Sequence, residues 1–207
     1  RSLSVRYALT VTGIALAAAF AMVFVVFDAQ RSVATDADPY HYGEIARGFV
    51  EHGFTALTRR AASLYPESIA VVYRLGGNDR TVELLQCLLH AGTCLLVFSM
   101  GRRLYNARTG LVAGLFTALH PMLLRYVSDL HMETFLTFLC TLTVWCAVRF
   151  HQRPTMANGV LLGAVGMAAT LTKGVILPFL AVYGVVSLAL ALQRRSARTA
   201  VAVVAMF

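Results

Sequence analysis

TVELLQCLLHAGTCLLVFSMGRR, residues 81–103, decides the fold of this chain. Its first part is predominantly apolar over about 20 residues, which is the length that an α-helix needs to cross a bilayer. Glu83 stands near one end of the stretch, and Arg102 and Arg103 stand at the other. The stretch therefore predicts a membrane-spanning helix with an acidic end and a basic end.

Similar apolar runs recur along the chain, of which 58% is hydrophobic, with a mean hydropathy of +0.68. Such a composition leaves little room for a soluble domain, so we predict an all-α, polytopic transmembrane protein. We treat residues 1–207 as a single transmembrane module and expect it to be part of a longer protein, because it begins without methionine and ends inside an apolar run. About seven spans are predicted, at residues 9–27, 81–100, 110–127, 133–149, 158–172, 174–192 and from 199 onward.

If these runs cross a membrane alternately, the charged residues of the connecting loops are divided between its two sides. One side receives ten arginines and no acid: Arg1, Arg6, Arg102, Arg103, Arg108, Arg149, Arg153, Arg194, Arg195 and Arg198. The other side receives all ten acids: Asp28, Asp36, Asp38, Glu44, Glu51, Glu67, Asp79, Glu83, Asp129 and Glu133. The basic side is cytoplasmic by the positive-inside rule, so the N-terminus is cytoplasmic and the acids face outward. The net charge of +8 then indicates contact with anionic lipid, and we do not expect nucleic-acid binding.

The first outward loop, residues 28–80, is long enough to hold two short helices. The first is predicted to begin with Asp38 as its N-cap and Pro39 at its first position, and to end at Gly53. The second is predicted from Pro66 to Leu75, before two glycines. Each is too short to cross the membrane and has an apolar face, so we expect both to lie in the interface as a lid.

The sequence DADPYHYGEIAR, which begins at Asp36, lies directly after the first span. Here the chain resembles the GT-C glycosyltransferases that depend on polyprenyl-phosphate sugars, a family that includes protein mannosyltransferases and aminoarabinose transferases. Asp38, Tyr42 and Ala46 fit the Asp-x-x-x-Tyr-x-x-x-Ala spacing of that family's first outward loop. Asp36 with Tyr40 offers a second register. Further segments that resemble the family are Tyr65-Pro66, residues 101–105 and 110–113, His120-Pro121, Glu133 and residues 162–174.

The resemblance implies a membrane glycosyltransferase with a polyprenyl-phosphate sugar donor, an outward active site in a bacterial inner membrane, and a hydroxyl or amine acceptor. Asp38, or Asp36 in the second register, would be the general base of an inverting transfer. Aminoarabinose transferases carry an arginine directly before the motif tyrosine, where this chain has a histidine. The residues that would bind the donor phosphate or substrate are His41, Tyr42, Arg59, Arg60, Lys173 and Glu133.

Several alternatives stay open on the sequence alone. Asp38 is also a plain helix N-cap, and Lys173 is also a cation at a helix end. Asp129, His131 and Glu133 form either a polar turn or a ligand set for a divalent cation, and we assign no metal site. The chain could instead be a non-catalytic GT-C-like membrane subunit of a larger complex, or a transporter component. The four cysteines lie inside predicted spans and are interpreted as core residues.

Overall fold

The computed structural model of the chain describes residues 2–27, 42–52, 64–128, 130–193 and 197–204. These ranges are helical with short turns and contain no β-strand, so the all-α prediction is confirmed. A π-helical turn, Met22–Phe27, extends α1, and a 3-10 turn, Gly174–Ile176, precedes α9. The α-helices are α1 Ser2–Ala21, α2 Tyr42–His52, α3 Leu64–Arg74, α4 Asp79–Leu104, α5 Ala107–Ala118, α6 Pro121–Val127, α7 Met132–Gln152, α8 Met156–Thr172, α9 Leu177–Gln193 and α10 Ala197–Val204.

Four helical segments within the described ranges are long and apolar enough to cross a membrane: Leu3–Val25, Asp79–Leu104, Met132–Gln152 and Gly174–Gln193. A fifth span forms if α5 and α6 are counted together, although they are bent by 55°. The polytopic membrane fold is thus confirmed. The predicted number of about seven spans stays a prediction, since α8 has only 17 residues.

Pro121 causes the bend in the third apolar run. It occupies the first position of α6, and the preceding His120 has extended backbone angles of φ −69° and ψ 118°. Proline has no N–H and crowds the residue before it out of the helical conformation. The helix is therefore interrupted at this point and restarts, so the third run consists of two helices rather than one curved helix.

The helices form two compact units, Arg1–Phe138 and Leu139–Phe207, whose boundary falls within α7. In the second unit, the core contains Phe150, Leu162 and Val203, and the Tyr183 hydroxyl donates to the Ala147 carbonyl at 2.8 Å. The single-module organisation stays a prediction. All four cysteines are free, and three of them are buried in these cores, as expected from their positions in the spans.

In the first unit, α1, α4 and α5 pack closely because small residues line their contacts. The core contains Val11, Ala91 and Phe98. A Cβ added to Gly110 would lie 2.5 Å from the Phe98 carbonyl oxygen, and one added to Gly101 would lie 2.8 Å from the Gly110 Cα. The absence of side chains at these two glycines therefore allows the backbones of α4 and α5 to approach each other.

The two predicted short helices are present as α2 and α3, and they pack against each other. Their shared core contains Tyr42, Ala46 and Phe49 from α2, at helical spacing, and Tyr65 and Ile69 from α3. After α3 the chain turns through Gly76, whose φ of +86° favours glycine, as the sequence predicts. Asp38 and the segment with Arg59 and Arg60 lie outside the described residues, and the interfacial position of the pair stays a prediction.

A polar contact joins this helix pair to the beginning of α4. Arg47 Nη2 lies 3.0 Å from both carboxylate oxygens of Asp79, and its guanidinium group lies over the Tyr73 ring at 5.6 Å. The Tyr73 hydroxyl donates to the same carboxylate. Burial and this hydrogen bond raise the pKa of Tyr73, so the phenol stays a donor at physiological pH. Arg47 and Asp79 are about half exposed, so we treat the contact as orienting rather than strongly stabilising.

The glycine contact predicts a difference between two glycine-to-alanine changes. Gly110→Ala should lower the free energy of unfolding by about 1–3 kcal/mol, because α4 and α5 must separate. Gly13→Ala is the matched control: nothing lies within 4 Å of its added Cβ, and replacing a helical glycine should stabilise by about 0.5–1 kcal/mol. Unfolding by SDS titration in mixed micelles measures both. Equal effects of the two changes would contradict the close packing.

Candidate functional site

A row of polar side chains runs along one face of α4. Glu83, Gln86, His90 and Thr93 recur at intervals of three and four residues, and each is at most 3% exposed. Burying such groups in a membrane-spanning segment is costly, and their occurrence there usually marks a functional region. The Glu83 carboxylate has a partner on its own helix, the Arg80 guanidinium at 3.0 Å.

Gln86 connects α4 to two other parts of the first unit. Its Nε2 donates to the Tyr65 hydroxyl of α3 at 2.6 Å and to the His131 carbonyl at 3.2 Å. Both amide hydrogens are thereby used. The Gln86 Oε1 atom is buried and has no hydrogen-bond partner in the part of the chain that the structure describes. This one side chain therefore fixes α3 and the turn before α7 against α4.

The first helical turn of α7 carries the predicted site residue Glu133. Its carboxylate stands in the first helical turn, where unpaired backbone N–H groups favour negative charge. The side chain is about one-third exposed, and Oε2 lies 3.8 Å from His131 Nδ1, beyond hydrogen-bond distance. Within the described ranges this buried Oε2 accepts no hydrogen bond. Glu133 can thus accept a hydrogen bond from a ligand without breaking an existing one.

Hydrogen bonds and ring contacts hold the turn around Glu133 in place. The Thr134 hydroxyl donates to the Tyr126 carbonyl at 2.8 Å, and the Ser128 hydroxyl donates to the Arg125 carbonyl at 2.8 Å. The His131 ring packs edge-on against Tyr126, with ring centroids 5.7 Å apart. The turn is therefore well ordered by α6 and α7 themselves.

A small cavity lies between the polar face of α4 and this turn. Its walls include His90, Thr93, Tyr126, Glu133 and Thr134. Its volume of about 10 Å³ is close to the smallest that holds one water molecule. His90 Nε2 lies 3.3 Å from the Ala118 carbonyl oxygen, and a hydrogen bond there requires the proton on Nε2. The cavity can hold a water molecule beside Glu133 but has no room for a sugar.

The beginning of α2 contacts the same turn. The Tyr42 ring is buried, and it meets the Tyr65 ring edge-on with centroids 5.3 Å apart. A Cβ added to Gly43 would lie 3.4 Å from Leu130 Cδ2, two residues after Ser128. The predicted site residue Tyr42 is thus a packing residue in this structure, and its role in phosphate binding stays a prediction.

The other predicted site residues are distributed as follows. Lys173 belongs to the second unit, where it is exposed and follows the last residue of α8 in an extended conformation. Asp36, Asp38, His41, Arg59 and Arg60 lie outside the described residues, as does Asp129. Among the described residues there is no group of three His, Cys, Asp or Glu side chains that could hold a metal ion. The divalent-cation alternative stays open, since one of its three ligands, Asp129, lies outside the described residues.

Neither Gln86 nor His90 was among the site residues predicted from the sequence. The available signal was the spacing of Glu83, Gln86 and His90 inside an apolar run. This spacing predicts a shared helix face, although it does not show which element that face contacts. The contact with the His131 carbonyl joins residues far apart in sequence and becomes visible only in the structure.

Comparison with known proteins identifies the family. Residues 64–207 match the family described as dolichyl-phosphate-mannose-protein mannosyltransferase, and this range is more than half of the chain. Comparison with curated proteins and with solved structures gave no match. The match begins after the motif around Asp38, so it supports the resemblance through α3 to α10 independently of that motif. The family implies a membrane glycosyltransferase of the GT-C type with a lipid-linked sugar donor. The chain belongs to the dolichyl-phosphate-mannose-protein mannosyltransferase family.

Proposed function

We propose that this chain transfers a sugar from a polyprenyl-phosphate donor to a hydroxyl or amine acceptor at the periplasmic face of a bacterial inner membrane. The observation that carries the proposal is the contact between the first turn of α2, at Gly43, and Leu130 in the turn before α7. This contact brings Tyr42 and Gly43, which follow Asp38 by four and five residues, beside the turn that leads to Glu133. We therefore expect the two candidate carboxylates, which are far apart in sequence, to lie at the same end of the first unit.

Asp38 is the proposed general base. As the acceptor oxygen or nitrogen attacks the anomeric carbon, the Asp38 carboxylate takes its proton, and the bond from that carbon to the phosphate oxygen breaks with inversion. Asp38 precedes Tyr42 by four residues, so chain connectivity keeps its Cα within about 14 Å of the beginning of α2. Asp36 is the alternative base in the second register of the motif.

The leaving group is a polyprenyl phosphate, which is already anionic. It needs cations to stabilise its charge, and it does not need a general acid to protonate it. Arginine binds phosphate oxygens through its planar fork, and lysine acts as a compact charge. Arg59, Arg60 and Lys173 are the proposed phosphate-binding cations, with His41 in the position where aminoarabinose transferases carry arginine. If the predicted spans cross the membrane alternately, all of these residues lie on the outward side.

Glu133 is the proposed substrate-binding carboxylate. Its side chain is about one-third exposed, so part of it can reach a ligand outside the water-sized cavity, and the helix N-terminus supports its charge. It would accept a hydrogen bond from a sugar hydroxyl. Alternatively, it would share a divalent cation with Asp38 or Asp129, because hard cations bind carboxylate oxygens.

The general-base role predicts the effect of Asp38→Asn. The change should lower kcat by about 10²- to 10⁴-fold, the contribution of a positioned general base. Transfer from radiolabelled polyprenyl-phosphate sugars in proteoliposomes measures it, with protease protection to verify insertion. Glu44→Gln, an exposed carboxylate of α2, is the matched control and should retain activity. Full activity of Asp38→Asn would refute the assignment, whereas a wild-type chain inactive on every donor would favour the non-catalytic subunit.

The role of Glu133 predicts a loss of kcat/KM in Glu133→Gln. A charge-assisted hydrogen bond contributes about 1.5–3 kcal/mol, so the loss should be about 10- to 100-fold. Glu67→Gln, in the first turn of α3, is the matched control. If a cation is shared, EDTA should inactivate the wild type, and Glu133→Gln should need more Mg²⁺ for restoration. Wild-type kinetics in Glu133→Gln would contradict both roles.

The phosphate-binding role predicts that Lys173→Gln weakens donor binding. Loss of one charged contact should raise KM for the donor about 10-fold or more, with a smaller change in kcat. Lys173→Arg should keep part of the affinity because the charge remains. The control is Arg153→Gln, which removes an exposed cation predicted to lie on the opposite side of the membrane. An unchanged donor KM in Lys173→Gln would exclude the contact.

A further inference from the structure

A larger cavity lies in the first unit between α3, α4 and the beginning of α7. Its volume is about 400 Å³, which falls within the range of about 300–1,000 Å³ that is typical of ligand sites. It is a groove rather than a closed chamber, because two of its lining residues, Leu85 and Leu88, are 41% and 57% exposed. The lining residues are mainly apolar, with Val72, Val82, Leu89 and Phe138 among them.

The few polar side chains of this groove are already bonded to other protein groups. The Ser68 hydroxyl donates to the Tyr65 carbonyl at 2.6 Å. Gln86 uses both amide hydrogens within the protein, and its remaining oxygen is buried. None of the lining residues carries a charge. The groove therefore suits a hydrocarbon chain and offers nothing to a phosphate or a sugar.

The direction and length of the groove match one leaflet of a bilayer. Its wall on α4 extends from Val82 to Gly92, which corresponds to about 15 Å along the helix. The hydrocarbon core of a bilayer is about 30 Å thick, so the groove covers about half of it, beginning near the Asp79 end of the span. Through Leu85 and Leu88 its wall continues directly into the lipid-facing surface of the same helix.

We propose that this groove binds one acyl chain of a bilayer phospholipid. Lipid chains are as apolar as leucine, so burial alone does not retain the chain, and the retention comes from packing against walls on three helices. A chain seated there lies against Tyr65 and Gln86, and Gln86 also bonds the turn before α7 through the His131 carbonyl. The bound lipid therefore stabilises the position of Gln86 and, through it, of the turn that leads to Glu133. This inference goes beyond the proposed sugar transfer and stands whether or not that transfer occurs.

Leu85→Trp tests the proposal, because the larger side chain fills the groove. The full chain is reconstituted with defined phosphatidylethanolamine, phosphatidylglycerol and a smaller amount of a polyprenyl phosphate, extracted in mild detergent, and analysed by native mass spectrometry. The wild type should retain one phospholipid, and retention in Leu85→Trp should fall about tenfold through steric exclusion. Leu84→Trp is the matched control: residue 84 is 38% exposed on the same helix and does not line the groove. Its retention should equal that of the wild type.

Gly92→Leu is a second variant that blocks the other end of the groove. A Cβ alone at this position would lie 3.0 Å from the Phe138 ring. A leucine must therefore either displace the ring into the groove or extend into the groove with its own side chain. Circular dichroism and the thermal midpoint show whether each variant is folded, and only folded variants are compared. Retention at the wild-type level in Leu85→Trp would overturn the proposal. So would a wild type that retains no phospholipid, or one whose retained lipid is a polyprenyl phosphate.

Discussion

The amide of Gln86 lies inside a membrane-spanning helix, where water cannot satisfy its hydrogen bonds, and the parts of the first unit at the Asp79 end of that helix are arranged around it. Interhelical hydrogen bonds in membrane proteins contribute only about 0.6 kcal/mol on average and at most about 1.7. An unpaired buried amide, in contrast, costs about 1–3 kcal/mol. The cost of an unpaired amide is larger than the gain from the hydrogen bond. Gln86 therefore acts mainly by making other packings of the helices unfavourable. Packings in which α3 or the turn before α7 is displaced leave its hydrogens unpaired.

Apolar packing then extends this arrangement to α2. The edge-on contact of Tyr42 with Tyr65 places the beginning of α2 on the residue that Gln86 holds. The ion pair of Arg47 with Asp79 lies at the exposed margin, where solvent weakens it, so it orients the helix pair and contributes little to its stability. The position of α2, which carries Tyr42 and Ala46 of the motif, thus depends on one buried amide and on a contact between two aromatic rings.

Much of this fold could be predicted from local sequence. Apolar runs predict membrane-spanning helices, Pro121 is typical of the break between α5 and α6, and Gly76 is typical of the end of α3. Each of these features depends only on residues that are neighbours in sequence. The contact of Gln86 with the His131 carbonyl could not be predicted, since periodicity shows which residues share a helix face but not what that face meets. The same holds for Tyr42, whose spacing indicated a motif and whose ring proved to be buried. For the candidate site, the sequence predicted that Glu133 lies near the connection between the third and fourth apolar runs. It did not predict which side chains hold that connection in place.

The separation of charge in the sequence and the polar face of α4 together limit where chemistry can occur. Glu83, Gln86 and His90 stand in the first half of α4, nearer Asp79 than the arginines at its other end. The other half of the same helix contacts α5 through Gly101 and Gly110, at a distance that leaves no space for a ligand. Among the described residues, these polar side chains therefore lie nearer the acidic end of α4, where α2 and α3 pack against it. We expect the segment that precedes α2, with the proposed base Asp38, to lie at this end. The proposed transfer would then take place at the end of the first unit where the acidic residues are concentrated.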